Sequence, residues 1–420
     1  MQIRTETFVM FFNRTVTLLL ALGCGRLAAA SEITPSKSSG PEMAGGKVMY
    51  KHWILSLLTA VMIAASTPAY AKQYEVGGCN PTLPQYPTIQ LAVLSVPPGS
   101  TILVCPGTYF EQVMISQPLT LKGADVNNQD RPIIAAPPNG LAINVTSITG
   151  AQVAAQVLVE NVTPPGNVVL TGITVDGSIA EVQGCSATAF LAGIFYASGT
   201  SGTINDMTTR DQKLPSCGYG IWVENGAGPN QSITVENNSV HDASWVGILA
   251  QSNQTPPTLT ATIKGNFVNG LVYNQTSDIQ VFGITGTVTG NVVTGGLVGI
   301  TNAGTDASPV TISGNDVADI SIGVGMSFGD GSTVTSNKVS NVYTAFLFGG
   351  SGVSPGPTVT GNTTQNTTYV INYNCIPNVT VKSNTFNDSE FGFLQIPTAN
   401  SGLGVNTIDN IDTVQTSSCP

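Results

Sequence analysis

Nine residues between positions 176 and 245 hold most of the reactive chemistry in this chain: Asp176, Arg210, Asp211, Lys213, Trp222, Glu224, His241, Asp242 and Trp245. The window contains the one histidine and the two tryptophans that follow residue 71, and two of the eight basic residues there. Carboxylates beside a cation suit proton abstraction next to a uronate, or acid–base cleavage of a glycosidic bond. An exposed indole stacks on a sugar ring, burying apolar area while the hydroxyls stay hydrogen-bonded. Asp176, Arg210, Asp211, His241 and Asp242 are therefore the candidate catalytic groups, and Trp222, Trp245, Glu224 and Lys213 the candidate substrate contacts. Asp206, Asp211 and Glu224 form a weak candidate for a calcium cage; no other metal or cofactor is expected. The competing reading is structural. Asp at a corner serves turn geometry, Arg210-Asp-Gln-Lys213 makes a solvated ion-pair patch, and Trp222 packs beneath a loop.

The elements that must position these groups are legible as a repeat. Seven Asn residues, at 238, 266, 291, 315, 337, 362 and 384, are each followed two positions later by an apolar or small residue, with steps of 28, 25, 24, 22, 25 and 22. A period of that length, rich in β-branched residues and Gly, marks a solenoid of short parallel strands. An Asn on every coil can hydrogen-bond to the Asn of the next and tolerate a left-handed corner. A Gly-Ile-like pair follows each Asn at near-fixed distance: nine residues from Asn238 to Gly247, and eight from Asn291 to Gly299 and from Asn315 to Gly323. The coil between 266 and 291 breaks this pattern, and its Gly283-Ile284 has no clear place. Strand alternation turns Ile221 and Val223 inward and Trp222 and Glu224 outward. The same outward column runs through Phe195, Leu249, Thr301, Gly325, Leu347, Asn372 and Leu394. The corner before the Gly-Ile strand is expanded at 177–193 and 207–220, and neighbouring expansions build a wall.

Composition narrows the partners. Charged residues make up 9% of the chain, against about 25% in an ordinary domain. After residue 71 there are eight Lys plus Arg and 21 Asp plus Glu, a net charge of −13, which makes nucleic acid and anionic membranes poor partners. Trp53–Ala65 is an apolar run of 13 after a basic start at Met49, and Ala69-Tyr-Ala71 is a small-x-small cleavage site. This predicts a secretory signal peptide at 49–71, too short to span a membrane, with 1–48 an upstream extension. The expected divisions are then a start segment at 72–100, the solenoid at 101–396 and a tail at 397–420. Six cysteines remain, an even number that implies disulfides in an exported chain. They allow 15 connectivities; a solenoid brings sequence neighbours together, favouring Cys79–Cys105, Cys185–Cys217 and Cys375–Cys419.

Tyr86-Pro-Thr-Ile-Gln90-Leu-Ala-Val93 reads as a short amphipathic helix, Ser100–Val104 as a strand, and Pro106-Gly-Thr-Tyr109-Phe-Glu111-Gln-Val113 as a turn feeding the next strand. Here the chain resembles the pectin-lyase-like superfamily of right-handed parallel β-helices, over roughly residues 84–396. The resemblance implies an all-β solenoid of about ten coils with an N-terminal helical cap, and a substrate groove along the Gly-Ile strands beside the corner before them. It does not carry an activity with it. The paired-Asp and Gly-His-Gly motifs of polygalacturonases, the Asp-Pro-His-Asp of alginate epimerases and the Arg-x-Pro-x-x-Arg of pectate lyases are missing. Tyr109 and Glu111 alone match the pectin methylesterases of that superfamily, where this element is structural. Three functions stay open: a non-catalytic binder of a polysaccharide or surface glycan, a lyase, hydrolase or epimerase acting on uronic-acid-containing glycans, and a structural envelope protein. All three would be secreted, periplasmic or at the cell surface.

Overall fold

Short strands with β-branched residues at alternate positions dictate the architecture. In Gln231–Glu236 the inward residues Ile233 and Val235 are buried while Ser232 is exposed. Each coil repeats three such strands, represented by Gln231–Glu236, Ser239–His241 and Val246–Ser252. These strands pair in parallel with their equivalents one coil away, as in Ile221↔Ile248↔Ile279↔Ile300. The computed structural model describes residues 72–415, apart from 126–130, 163–165, 179–188, 214–216, 271–276, 304–307, 327–330, 350–355, 374–377 and 395–402. These residues fall in one compact unit running Ala69–Pro420. The expected signal peptide and upstream extension lie outside the described residues. One sheet stacks 13 strands and a second 21. The second covers two faces of each coil, because Lys338–Phe348, Thr363–Asn372 and Thr385–Leu394 run unbroken from one face to the next. The result is a right-handed parallel β-helix around an axial core of Val, Ile and Leu.

The Asn ladder is present and longer than the sequence reading had it. From Asn266 through Asn384, each Asn Oδ1 accepts from both the backbone N–H and the Nδ2 of the Asn one coil earlier, at 2.8–3.0 Å, with Asn238 the first donor. Asn406 adds a rung, accepting from Asn384 at 3.0 and 2.9 Å. Thr407–Gln415 then pairs in parallel with Thr385–Leu394, so regular structure continues into the expected tail. The left-handed residue of this corner is the one before each Asn: Asn237, Gly265, Gly290, Gly314, Ser336, Gly361 and Ser383 all have φ between 54° and 66°. The Asn side chain supplies hydrogen bonds; its predecessor supplies the turn.

The helix Ile89–Ser95 starts from a Thr88 cap, and both Glu111 oxygens accept from its first amides, Ile89 N at 2.9 Å and Gln90 N at 2.8 Å. These two bonds satisfy N–H groups that the first turn of a helix leaves without an intrahelical partner. Tyr109 Oη donates to Cys105 O at 2.9 Å, so Tyr109 and Glu111 both hold structure. Cys79–Cys105 is formed, with Cα atoms 5.7 Å apart. Cys217 is also disulfide-bonded, but Cys185, its expected partner, lies outside the described residues, as do Cys375 and Cys419.

The irregular coil is resolved by register. Ile279, not Ile284, stands in the Ile248–Ile300 column, so Asp278 occupies the position that Gly247 and Gly299 hold on the flanking coils. Gln280 likewise fills the gap in the outward column between Leu249 and Thr301. The pattern was hidden by an Asp standing where a Gly was expected.

Candidate functional site

The three-residue strands Thr174–Asp176, Thr208–Arg210, Ser239–His241 and Phe267–Asn269 bury their middle residue and turn the outer two away from the core. Their register places Asp176, Arg210, His241 and Asn269 in one column along the axis. A second column holds Thr174, Thr208, Ser239 and Phe267. Three candidate catalytic groups are thus brought together on one face.

Two of them, Asp176 and Arg210, are partners of one another. Arg210 Nε and Nη2 both donate to Asp176 Oδ2, at 2.9 and 2.7 Å, and Ser178 N donates to Asp176 Oδ1 at 2.8 Å. Burial pushes the Asp176 carboxyl up, but Ser178 and the Arg210 charge outweigh it and hold the group below its ordinary range. Asp211 and Asp242, with φ of 61° and 57°, are left-handed corner residues, the conformation that favours Asp and Asn. Lys213 is ion-paired to Asp211 and stands 3.5 Å from Asp242 Oδ2. The Asp211 contact, with both charges adding to it, raises the Lys213 ammonium above its usual range. The corner role continues down the solenoid in Asp319, Asn341, Asn366, Asp388 and Asn410, which also cross-bond, as in Asn366 Nδ2 to Asn341 Oδ1 at 2.8 Å. His241 Nε2 lies 2.6 Å from Ser239 Oγ, and its ring packs 5.4 Å from Phe267.

Trp222 and Glu224 point away from the axial core, as alternation requires, but they are not exposed. Trp222 is 2% accessible, in a second apolar cluster outside the coil with Val153, Leu158, Phe195, Tyr219 and Leu249. The Tyr219 and Phe195 rings lie 4.4 and 5.1 Å from it. Trp245 is half-buried against the same cluster. The expected sugar-stacking role of Trp222 is thus corrected to a packing one, because a hairpin covers this face: Val145–Thr146 pairs antiparallel with Gln152–Val159. At its turn Ile148 N donates to Glu224 Oε1 at 2.9 Å, and Gln251 Nε2 donates to Oε2 at 2.9 Å. Glu224 is 1% accessible. Burial drives its carboxyl up to about 7 against these hydrogen bonds.

A raised carboxyl stabilises the fold fully below its unfolded value, and that stability is lost as pH climbs through the folded one. Between pH 4.5 and about 7 the loss from Glu224 amounts to about 3 kcal/mol. Glu224→Gln should remove this slope, so that urea unfolding shows the variant gaining on the wild type by about 3 kcal/mol between pH 4.5 and 8. Asp278 is pushed well up by burial, despite the Gly296 and Gly270 amides, and contributes the same sign in both proteins.

Asp206, Asp211 and Glu224 do not converge on a cation. Asp206 is held by Arg131 at 2.6 Å, and the other two are engaged as above. Two features were missed in the sequence. Phe267 is 40% accessible and stands beside His241; the residue directly after each ladder Asn faces outward, so its exposure was legible. On the later coils Tyr343, 53% accessible, meets Tyr369 at 5.2 Å, and Tyr369 stacks on Phe391 at 5.1 Å. An open groove nearby, ≈ 470 Å³, is lined among others by Asn366, Asp388, Glu390 and Asp412. Stacking and titratable groups are therefore not confined to residues 176–249.

Comparison with known proteins agrees with this architecture. Residues 159–285 match a family model described as a right handed beta helix region. The native GH136 lacto-N-biosidase of Eubacterium ramulus aligns at a TM-score of 0.57 and 12% identity, over 86% of this chain and 70% of that one. The family 28 exopolygalacturonase of Yersinia enterocolitica aligns at 0.54 and 13%, over 84% and 78%. No curated protein matches the sequence. Among the described residues no helix is long and apolar enough to cross a membrane. Parallel coils, ladder and structural likeness together give this chain a right-handed parallel β-helix fold.

Proposed function

We propose that this chain is an exported, non-catalytic binder of a polysaccharide. One observation carries the reading: every candidate catalytic carboxylate is already engaged. Asp176 is clamped by Arg210, Asp211 and Asp242 form corners tied to Lys213, and Glu224 has both oxygens occupied beneath Ile148. Glycoside cleavage needs two carboxyl groups that both reach the scissile bond, one of them protonated. Glu224 is tuned near neutrality, and it is covered. What the outer face offers is a strip of Arg210, His241, Phe267 and Asn269, an aromatic surface among hydrogen-bonding groups, which suits sugar rings. The fold neighbours include a lacto-N-biosidase and an exopolygalacturonase, which supports a glycan partner.

Phe267→Ala should weaken binding of the recognised polysaccharide about tenfold, the loss of roughly 1.4 kcal/mol of stacking, with unchanged thermal stability. Affinity electrophoresis against a polysaccharide panel measures it; unchanged mobility shifts would remove Phe267 from the surface. A second reading is favoured by the state of Glu224. If a substrate displaced the Ile148 turn and kept Glu224 buried in its place, the raised carboxyl would face it beside Trp222, where an acid catalyst is useful. That reading requires product formation that Glu224→Gln abolishes.

A further inference from the structure

We propose that Glu75, Cys79 and Cys105 form a metal site when the Cys79–Cys105 disulfide is reduced, taking a zinc-class divalent cation through two thiolates and one carboxylate. A Glu75 oxygen and the two sulfurs lie within 4.8 Å of one another. Glu75 sits on Gln73–Val76, between Gln85–Tyr86 and Ser100–Val104, and is wholly buried. Its Oε2 accepts from Asn80 N at 2.5 Å, which ties it to the loop. Its Oε1 is buried with no partner, a state that is costly for a charged or polar oxygen. Loop support does not explain why a carboxylate rather than an amide stands there with its second oxygen unused. A cation bound by the two sulfurs would give that oxygen a partner.

The cysteines suit the same role. Cys79 N donates to Cys105 Sγ at 3.0 Å, so the loop already brings a backbone amide against this sulfur. Cys105 is buried and Cys79 half-buried, which leaves one side open for entry. Two thiolates on a tetrahedral zinc stand roughly 3.8 Å apart, given Zn–S of about 2.3 Å. With the Cα atoms 5.7 Å apart, side-chain rotation reaches that spacing. A phosphine reduces the disulfide: phosphorus is oxidised to the phosphine oxide, water supplies its oxygen and two protons, and two thiols result. The cation then displaces both thiol protons, binds Glu75, and takes water as its fourth ligand. The same corner is thus closed covalently under oxidising conditions and by a metal under reducing ones.

The test uses the full chain, reduced anaerobically, freed of phosphine and titrated with Co²⁺, whose thiolate charge-transfer and tetrahedral d–d absorptions report the ligands. One equivalent should give both signals, and Zn²⁺ should displace them. Glu75→Gln should weaken binding roughly tenfold or more. The Cys79→Ser/Cys105→Ser variant, which keeps the other cysteines, should lose the signals. Circular dichroism on each sample checks that the coil is intact. Absence of the signals in folded, reduced wild type overturns the proposal, as does equal binding by either variant.

Discussion

Asn315→Leu should lower the unfolding free energy by about 3–5 kcal/mol, one of the two largest effects of a single change in this chain. Asn315 is 1% accessible, and its Oδ1 accepts from Asn291 N and Nδ2, both at 2.9 Å. Its Nδ2 donates to Val288 O at 3.0 Å and to Asn337 Oδ1 at 2.8 Å. Leucine is similar in volume but replaces none of these. It strands the Asn291 backbone N–H and one Asn291 amide proton where water cannot reach, and removes two further bonds. Asn406→Leu is the internal control. Asn406 is partly exposed at the last described rung, accepting from Asn384 and donating to Gly404 O at 3.0 Å and Val381 O at 3.3 Å; it has no further Asn to donate to and solvent reaches it, so a smaller cost of about 1 kcal/mol is expected. Urea unfolding of the two variants should separate them by several-fold in free energy; equal costs would mean that the ladder is not cooperative along the axis.

Trp222→Ala should cost about 3–5 kcal/mol, the range for truncating a buried aromatic. Its ring contacts Phe195 and Tyr219 in a cluster outside the axial core. The loss should therefore loosen the outer layer and the 145–151 hairpin while the coils persist. Near-ultraviolet circular dichroism should collapse and the far-ultraviolet β signal remain. Polysaccharide binding per folded molecule should be unchanged, since Trp222 presents no surface. A selective loss of binding with intact stability would restore it to the role that its sequence position suggested.

These two residues show what was legible and what was not. The ladder could be read because the same residue recurs at the same point of every coil, and because one side-chain geometry serves all rungs. The outward column through Phe195, Trp222, Leu249 and Leu347 followed from alternation alone. Accessibility did not, since alternation tells which way a side chain points and not what lies over it. Trp222 and Glu224 are covered by a hairpin more than 70 residues upstream, a contact with no local signal. Asp278 was missed for the opposite reason, as one substitution in a repeat erased the mark used to find the strand. Asp211 and Asp242 looked reactive by type, but their left-handed φ and the Lys213 ion pairs are those of corners.

The most direct measurement is of binding and turnover in the same samples. The full chain is incubated with a panel of neutral and uronic-acid polysaccharides at pH 5 and pH 8. Retardation in affinity gels is read beside reducing ends and unsaturated products. The expected result is retardation by at least one polysaccharide, weakened by Phe267→Ala, with no product at either pH. Product that accumulates with the wild type and disappears with Glu224→Gln would contradict the account, because the covered carboxylate would then be reaching a substrate.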